Sequence, residues 1–188
     1  MKWTLDASHS EINFTVRHMM ISNVRGRFDN FDVDLTLDPD NPATSQVVAT
    51  IDAGSISTKD EKRDGHLRSP DFLNADAYPT FVFKSRRVER VGSGNARVTG
   101  DLTIRDITRE VILDVEYNGM SKSPWGTTSA GFSATTKINR KDWDLTWNVA
   151  LESGGILVGE EIKVAIDVEL IQVPEPVTVA VGTAAVAA

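Results

Sequence analysis

Over most of its length the chain alternates apolar and polar positions with a period of two, the pattern of strands that bury one face. In residues 10–18, Ile12, Phe14, Val16 and His18 share a face, with Asn13, Thr15 and Arg17 opposite. Residues 24–37 form a second strand region ending in Val33, Leu35 and Leu37. There Phe28 and Phe31 are out of phase, which predicts a bulge near Asp29–Asn30. Further strands are predicted over 46–52 (Val47, Ala49, Ile51), 80–91 (Phe81, Phe83) and 96–105 (Val98, Leu102, Ile104). Three more follow over 108–117 (Val111, Leu113, Val115), 128–138 (Ala130, Phe132, Ala134, Ile138) and 161–173 (Ile162, Val164, Ile166, Val168, Leu170). Residues 91–95 read as a Gly-rich hairpin loop, and residues 38–42 as a Pro/Asx turn. No helical pattern alternates with the strands, so a parallel sheet is not expected. About eight long antiparallel strands fit a closed barrel or a sandwich.

Two segments break the alternation. Thr58 followed by Glu61 reads as a capping box that starts a short helix towards His66 and Leu67. Ser69-Pro70 reads as a second helix start, leading through Phe72 and Leu73. A helical excursion of this kind would sit over one mouth of a barrel. The second segment, 139–148, carries Trp143, Leu145 and Trp147. Pro174 and Pro176 end the last strand, so residues 1–173 form the domain and 174–188 a Pro/Ala/Val-rich tail.

The 188 residues carry 27 acidic and 20 basic side chains, a net charge of −7. That balance argues against nucleic acid or an anionic membrane surface as the main partner. No cysteine is present, which excludes disulfides and thiolate chemistry. No apolar stretch approaches the ~18 residues of a spanning helix, and none follows Lys2 as a signal peptide would require. A soluble, cytoplasmic protein without an integral membrane segment is the expectation.

Catalytic chemistry finds little support. There is no Gly-x-Ser-x-Gly elbow and no Gly-rich phosphate cradle. His9, His18 and His66 match no zinc spacing, so no metal is expected. His18 continues an apolar face and reads as a buried, hydrogen-bonded histidine. His9, after Asp6 and Ser8, reads as part of a turn. Arg17, Arg25, Arg27, Arg109 and Arg140 are expected to pair with carboxylates on neighbouring strands, with one of them meeting a ligand's polar group at a barrel mouth as the sharper alternative.

Five motifs, in order, carry a resemblance. They are Trp3-Thr-Leu-Asp6 with His9-Ser10 through Val24-Arg-Gly-Arg-Phe28; Arg63-Asp-Gly-His-Leu-Arg-Ser-Pro-Asp-Phe-Leu73 with Tyr78-Pro79-Thr-Phe81; and Gly100-Asp-Leu-Thr-Ile104 with Thr108-Arg109. Gly131-Phe132 through Arg140, Asp142-Trp143 and Trp147, and then Gly159-Glu-Glu-Ile162, complete the set. On these residues the chain resembles the YceI-like family, whose members bind polyisoprenoid lipids in an extended lipocalin-like barrel. The resemblance covers residues 3 to about 173. It departs at Asp106 and Asp144, where the family usually has glycine, so a left-handed turn is expected at each.

The resemblance implies an all-β fold: an extended eight-stranded antiparallel β-barrel with a short helical lid near residues 58–74. It implies a binding protein rather than an enzyme, with no cofactor, holding a long-chain isoprenoid or isoprenoid quinone for sequestration, storage or transport. The residues expected to line the ligand are Phe14, Val16, His18, Phe28, Leu67, Phe72, Phe81, Phe83, Leu102, Ile104, Phe132, Trp143 and Trp147. Two rival readings stand beside it. One is an enzyme acting on such a lipid, with His18 as acid or base. The other is an interaction module whose barrel is filled by its own side chains. Pairing as a homodimer through a flat outer face is compatible with each.

Overall fold

The computed structural model describes residues 1–38 and 41–174. The turn expected at 38–42 therefore lies partly, and the tail beyond Pro174 wholly, outside the described residues.

Ten strands and one helix follow in chain order: β1 (Lys2–His18), β2 (Ser22–Phe28), β3 (Phe31–Thr36), β4 (Gln46–Asp52), β5 (Ile56–Ser57), α1 (Glu61–Arg68), β6 (Thr80–Arg90), β7 (Asn95–Ile104), β8 (Ile107–Lys122), β9 (Thr128–Asn139) and β10 (Val158–Gln172). All pairings are antiparallel. β2 and β3 run end to end along β1, and beyond them β4 pairs with β3 and β5 with β2. Ten strands thus make eight staves. The ring closes where β10 pairs with β1, with Ile12 opposite Ile166. Closure leaves no stave as an open edge, which resolves the sandwich-or-barrel alternative in favour of the barrel.

The inward faces meet in two apolar clusters. One is built from Trp3, Val33, Ala130 and Leu170, at the end where β1 begins. The other runs from Ile12 through Ile51, Phe81, Phe83 and Ile104 to Phe72, Trp143 and Leu145, at the end carrying α1. Where Phe28 and Phe31 predict a bulge, the structure has a strand break between β2 and β3. Asp29 and Asn30 leave the ladder, and the Asp29 amide donates to Ser55 O at 3.1 Å.

The structure corrects three local expectations. Helix α1 is capped by Asp60, whose side chain accepts from the Arg63 amide, rather than by Thr58. Thr58 is buried and its amide and hydroxyl both donate to the buried Asp64 carboxylate, so it cannot serve as a cap. Ser69 closes α1 instead of opening a second helix. Its amide and hydroxyl donate to His66 O, and the chain beyond it proceeds in turns. In the β7–β8 turn the left-handed residue is Arg105 (φ 57°), one position before Asp106. Asp144 does adopt the expected left-handed conformation (φ 57°).

Candidate functional site

The interior begins with two close approaches of ring to backbone. Gly26 sits opposite Phe14 across the β1–β2 ladder, and a Cβ at Gly26 would lie 2.3 Å from the Phe14 ring. Gly100 of β7 is opposite Ser85 and diagonal to Phe83 of β6, and a Cβ there would lie 2.5 Å from the Phe83 ring. Both glycines let an aromatic ring lie down against the barrel wall rather than project across the lumen. From Phe14 an aromatic row continues to Phe28 (centroids 5.7 Å apart) and on to Phe81 (5.4 Å, edge-on).

The rest of the wall is aliphatic. Leu102, Leu113, Val115, Val164 and Ile166 face inward from three strands, and all remain only half-buried, as do Phe14 and Phe28. Fully packed core side chains would lose nearly all their accessible surface.

One mouth is covered by the two irregular segments acting together. Trp147 packs edge-on to His66 (4.6 Å) and against Phe72 (5.3 Å), and His66 packs edge-on to Phe72 (5.1 Å). The His66 ring also meets Asp71 at 2.9 Å. Trp143 is buried, and its indole N–H donates to Leu102 O at 3.1 Å. Arg68 fixes the segment from below, donating to Gly54 O at 3.0 Å.

A second opening lies in the wall. Residues 5–11 of β1 pair with neither β2 nor β3, and a pocket of about 260 Å³ lies at the gap, lined by Phe28, Phe31, Ala7 and Ser10 among others. Here β1 carries extra residues relative to β10, so that Asp6 pairs with Glu169 but Glu11 already with Asp167. The loop is locked from inside. The Ser8 amide and hydroxyl donate to Asp6 Oδ1, the His9 Nδ1 lies 3.1 Å from Asp6 Oδ2, and the Ser10 hydroxyl donates to Asp6 O. These bonds from Ser8 and His9 hold the Asp6 carboxyl below its usual pKa, and Asp6 in turn raises that of the His9 imidazole. Glu169 brings a third ligand-type atom within 4.8 Å of the other two. The Asp6 and His9 donors are already engaged with one another, and this cluster braces the bulge.

Of the residues expected to line a ligand, Phe14, Val16, His18, Phe28 and Leu102 are half-buried on the inward face. Phe81, Phe83 and Ile104 are buried in the same cluster. Leu67, Phe72, Trp143 and Trp147 form the mouth cover. Phe132 stands apart, packed with Tyr117 (5.3 Å) near the opposite end. The His18 ring makes no hydrogen bond among the described residues, contrary to expectation. The arginines also differ from it. Arg27 pairs with Asp29 at 2.6 Å, but Arg17 donates to Met20 O and Arg109 to Thr108 O. Arg140 is only 3% exposed and donates to Gly159 O at 2.9 Å, to Val158 O and to Leu145 O. It tethers the 140–145 segment to the start of β10. The wall positions Leu113, Val115, Val164 and Ile166 were absent from the expected set, although their alternation marked them as inward.

The profile of the YceI-like domain family matches residues 3–170. A UPF0312 protein of Staphylococcus aureus is 41% identical over 162 residues, spanning 86% of this chain and 92% of that one. Among solved structures, the YCEI protein of Campylobacter jejuni superposes with a TM-score of 0.71 at 29% identity, over 84% of this chain and 90% of that one. A polyisoprenoid binding domain from Saccharophagus degradans, described as implicated in plant cell wall breakdown, shares the fold with a TM-score of 0.68 at 15% identity, over 91% and 98%.

Proposed function

The chain belongs to the YceI-like domain family, and from that premise we propose that its barrel binds a long-chain isoprenoid lipid or isoprenoid quinone. The observation that carries the reading is the half-buried apolar wall. Inward-facing Phe14, Phe28, Leu113, Val115, Val164 and Ile166 retain accessible surface, as they would around a lumen an apolar chain can fill. Rings laid flat over Gly26 and Gly100 support it. The structural neighbour from Saccharophagus degradans is itself described as a polyisoprenoid binding domain. Each buried CH₂ contributes roughly 0.8 kcal/mol, so a chain of many isoprene units binds without specific polar contacts. His66, Leu67, Phe72 and Trp147 close the mouth over one end of the lipid in this reading.

The role is binding for sequestration or carriage rather than catalysis, with the cytoplasm as its site of action. An enzyme needs convergent polar groups around the reacting atoms. Among the described residues His18 is the histidine on the inward strand face, and His66 is occupied by Asp71. Among the described residues no helix is long and apolar enough to cross a membrane. The test is to purify the protein from its own cells without detergent, extract it with organic solvent and identify what is released by mass spectrometry. A stoichiometric isoprenoid is the expected result. A protein that comes out empty and fails to take up a polyprenyl alcohol in vitro would overturn the proposal.

A further inference from the structure

The β1–β2 hairpin ends in Met19, Met20 and Ile21, exposed to 43%, 51% and 77%. Both methionines have positive φ (50° and 61°), and the Ile21 amide donates to His18 O at 3.1 Å. This is the backbone of a tight turn that favours Asn-Gly. Unbranched apolar side chains gain nothing from that conformation. Three apolar residues therefore occupy solvent at a place where both burial and turn preference call for polar ones. The Arg17 guanidinium braces the turn, donating to Met20 O at 3.1 Å. The tip stands at the covered mouth of the barrel, beside the 149–157 loop. The Met19 amide donates to Leu157 O, and Val149 on that loop is also exposed.

Behind the tip, on the outer wall, lies a row of cations. Lys137 of β9 is directly opposite Lys163 of β10, and Lys163 is opposite Thr15 of β1, which is opposite Arg25 of β2. Like charges directly opposite one another on a ladder are unfavourable. Among the described residues neither lysine nor Arg25 or Arg17 has a carboxylate ion-pair partner. The nearby Glu160 is taken by Lys141 at 2.5 Å, which leaves Glu161, two positions from Lys163 on the tip side, as the acidic side chain beside four cations. Lys137 and Lys163 border an open groove of about 610 Å³ floored by Asn13, Thr15 and Ala165, whose one carboxylate, Asp114, is paired with Arg97 at 3.5 Å. The net charge of −7 argues against an anionic surface as partner for the protein as a whole, so any such contact is confined to this local cluster.

We propose that this end of the barrel docks on an anionic membrane surface, with the Met19–Ile21 tip inserted at the acyl boundary and the cation row against the head groups. The spacing fits. Arg17 is about 7 Å and the Lys163–Arg25 row about 13 Å behind the tip at ~3.3 Å per residue. An interfacial element sinks roughly 5–10 Å, which leaves the cations among phosphates. Three exposed side chains are too few for a stable protein interface, which needs about 800 Å² from each partner. They suffice for insertion supported by charge. Docking stands whether or not the barrel holds a lipid, and the test below contains no isoprenoid.

The full chain is sedimented with vesicles of phosphatidylcholine alone and of phosphatidylcholine mixed with phosphatidylglycerol. The wild type is expected to bind the mixed vesicles, and to release them in high salt. The variant Met19→Asn/Met20→Gly/Ile21→Thr supplies the residues the turn favours. It is expected to melt at a higher temperature than wild type while binding the vesicles at least about tenfold more weakly, a loss that unfolding cannot explain. Lys137→Glu/Lys163→Glu is expected to abolish the preference for phosphatidylglycerol. A wild type that ignores the mixed vesicles, or a tip variant that binds them as well as wild type, overturns the proposal.

Discussion

The ring of Phe83 on β6 lies over the backbone of Gly100 on β7, so close that a Cβ there would come within 2.5 Å of the ring and 2.6 Å of Lys84 O. One contact is a side chain that can move and the other is backbone that cannot. Gly100→Ala is therefore expected to destabilise by about 1–3 kcal/mol, read from the urea midpoint at unchanged slope.

The half-buried wall makes a two-way prediction. Val115→Phe should leave stability nearly unchanged if the lumen is open, and should lower isoprenoid uptake by filling it. In a self-filled barrel the same change would cost about 1–3 kcal/mol through overpacking. Thermal melting and uptake of a polyprenyl alcohol, measured on one preparation, separate the two.

Arg140 holds three backbone carbonyls at Leu145, Val158 and Gly159. Arg140→Met removes this donor from all three, with Val158 O keeping a bond from the Asn148 side-chain amide, and is expected to destabilise by about 3 kcal/mol. Arg140→Lys should rescue little of that, because an ammonium cannot reach three carbonyls in the fork geometry of a guanidinium. Denaturant unfolding of both variants checks the order.

The Asp6–His9 pair gives a pH dependence. Asp6 lies below its ordinary pKa through its bonds from Ser8 and His9, and His9 lies above the ordinary 6.5 through Asp6. The Asp6 contribution is present above the ordinary carboxylate range and is lost as pH falls through its lowered value. The His9 contribution is complete below pH about 6.5 and is lost as pH rises through its raised value. NMR titration of the His9 ring should give a midpoint above 6.5, moving down in Asp6→Asn. A midpoint unchanged by that substitution would dissociate the two residues.

Strand positions were legible because a barrel wall with one wet and one apolar face writes period two directly into the sequence. Phe28 and Phe31, out of phase, even marked the Asp29–Asn30 break. The first half of β1 was not legible, since the extra residues around Ser8 and His9 interrupt the alternation. The helix cap was misread because Thr58 and Asp60 are both good caps locally. Only the tertiary bond from Thr58 to Asp64 decides between them. Arg140 carried no signal of burial, because its partners are carbonyls up to nineteen residues away. The convergence of Glu169 on Asp6 and His9 was equally hidden, since barrel closure alone brings it there. The inward aromatic residues were readable as a set, whereas their flattening over Gly26 and Gly100 depends on cross-strand register.

The closing seam joins the first strand to the last, with Trp3 opposite Gln172 and Ile12 opposite Ile166. Every other stave pairs with one made shortly before or after it, but β1 must wait on one side until β10 has been synthesised. Until then the sheet has two free edges and an apolar concave face open along its whole length. High sequence separation at the seam makes ring closure the slow event of folding and the interval before it the aggregation-prone one. The same geometry places β1 and β10 side by side. A circular permutant that joins residue 1 to residue 173 and opens at the 91–94 turn would turn this seam into a hairpin and move the late closing event to the β6–β7 pair.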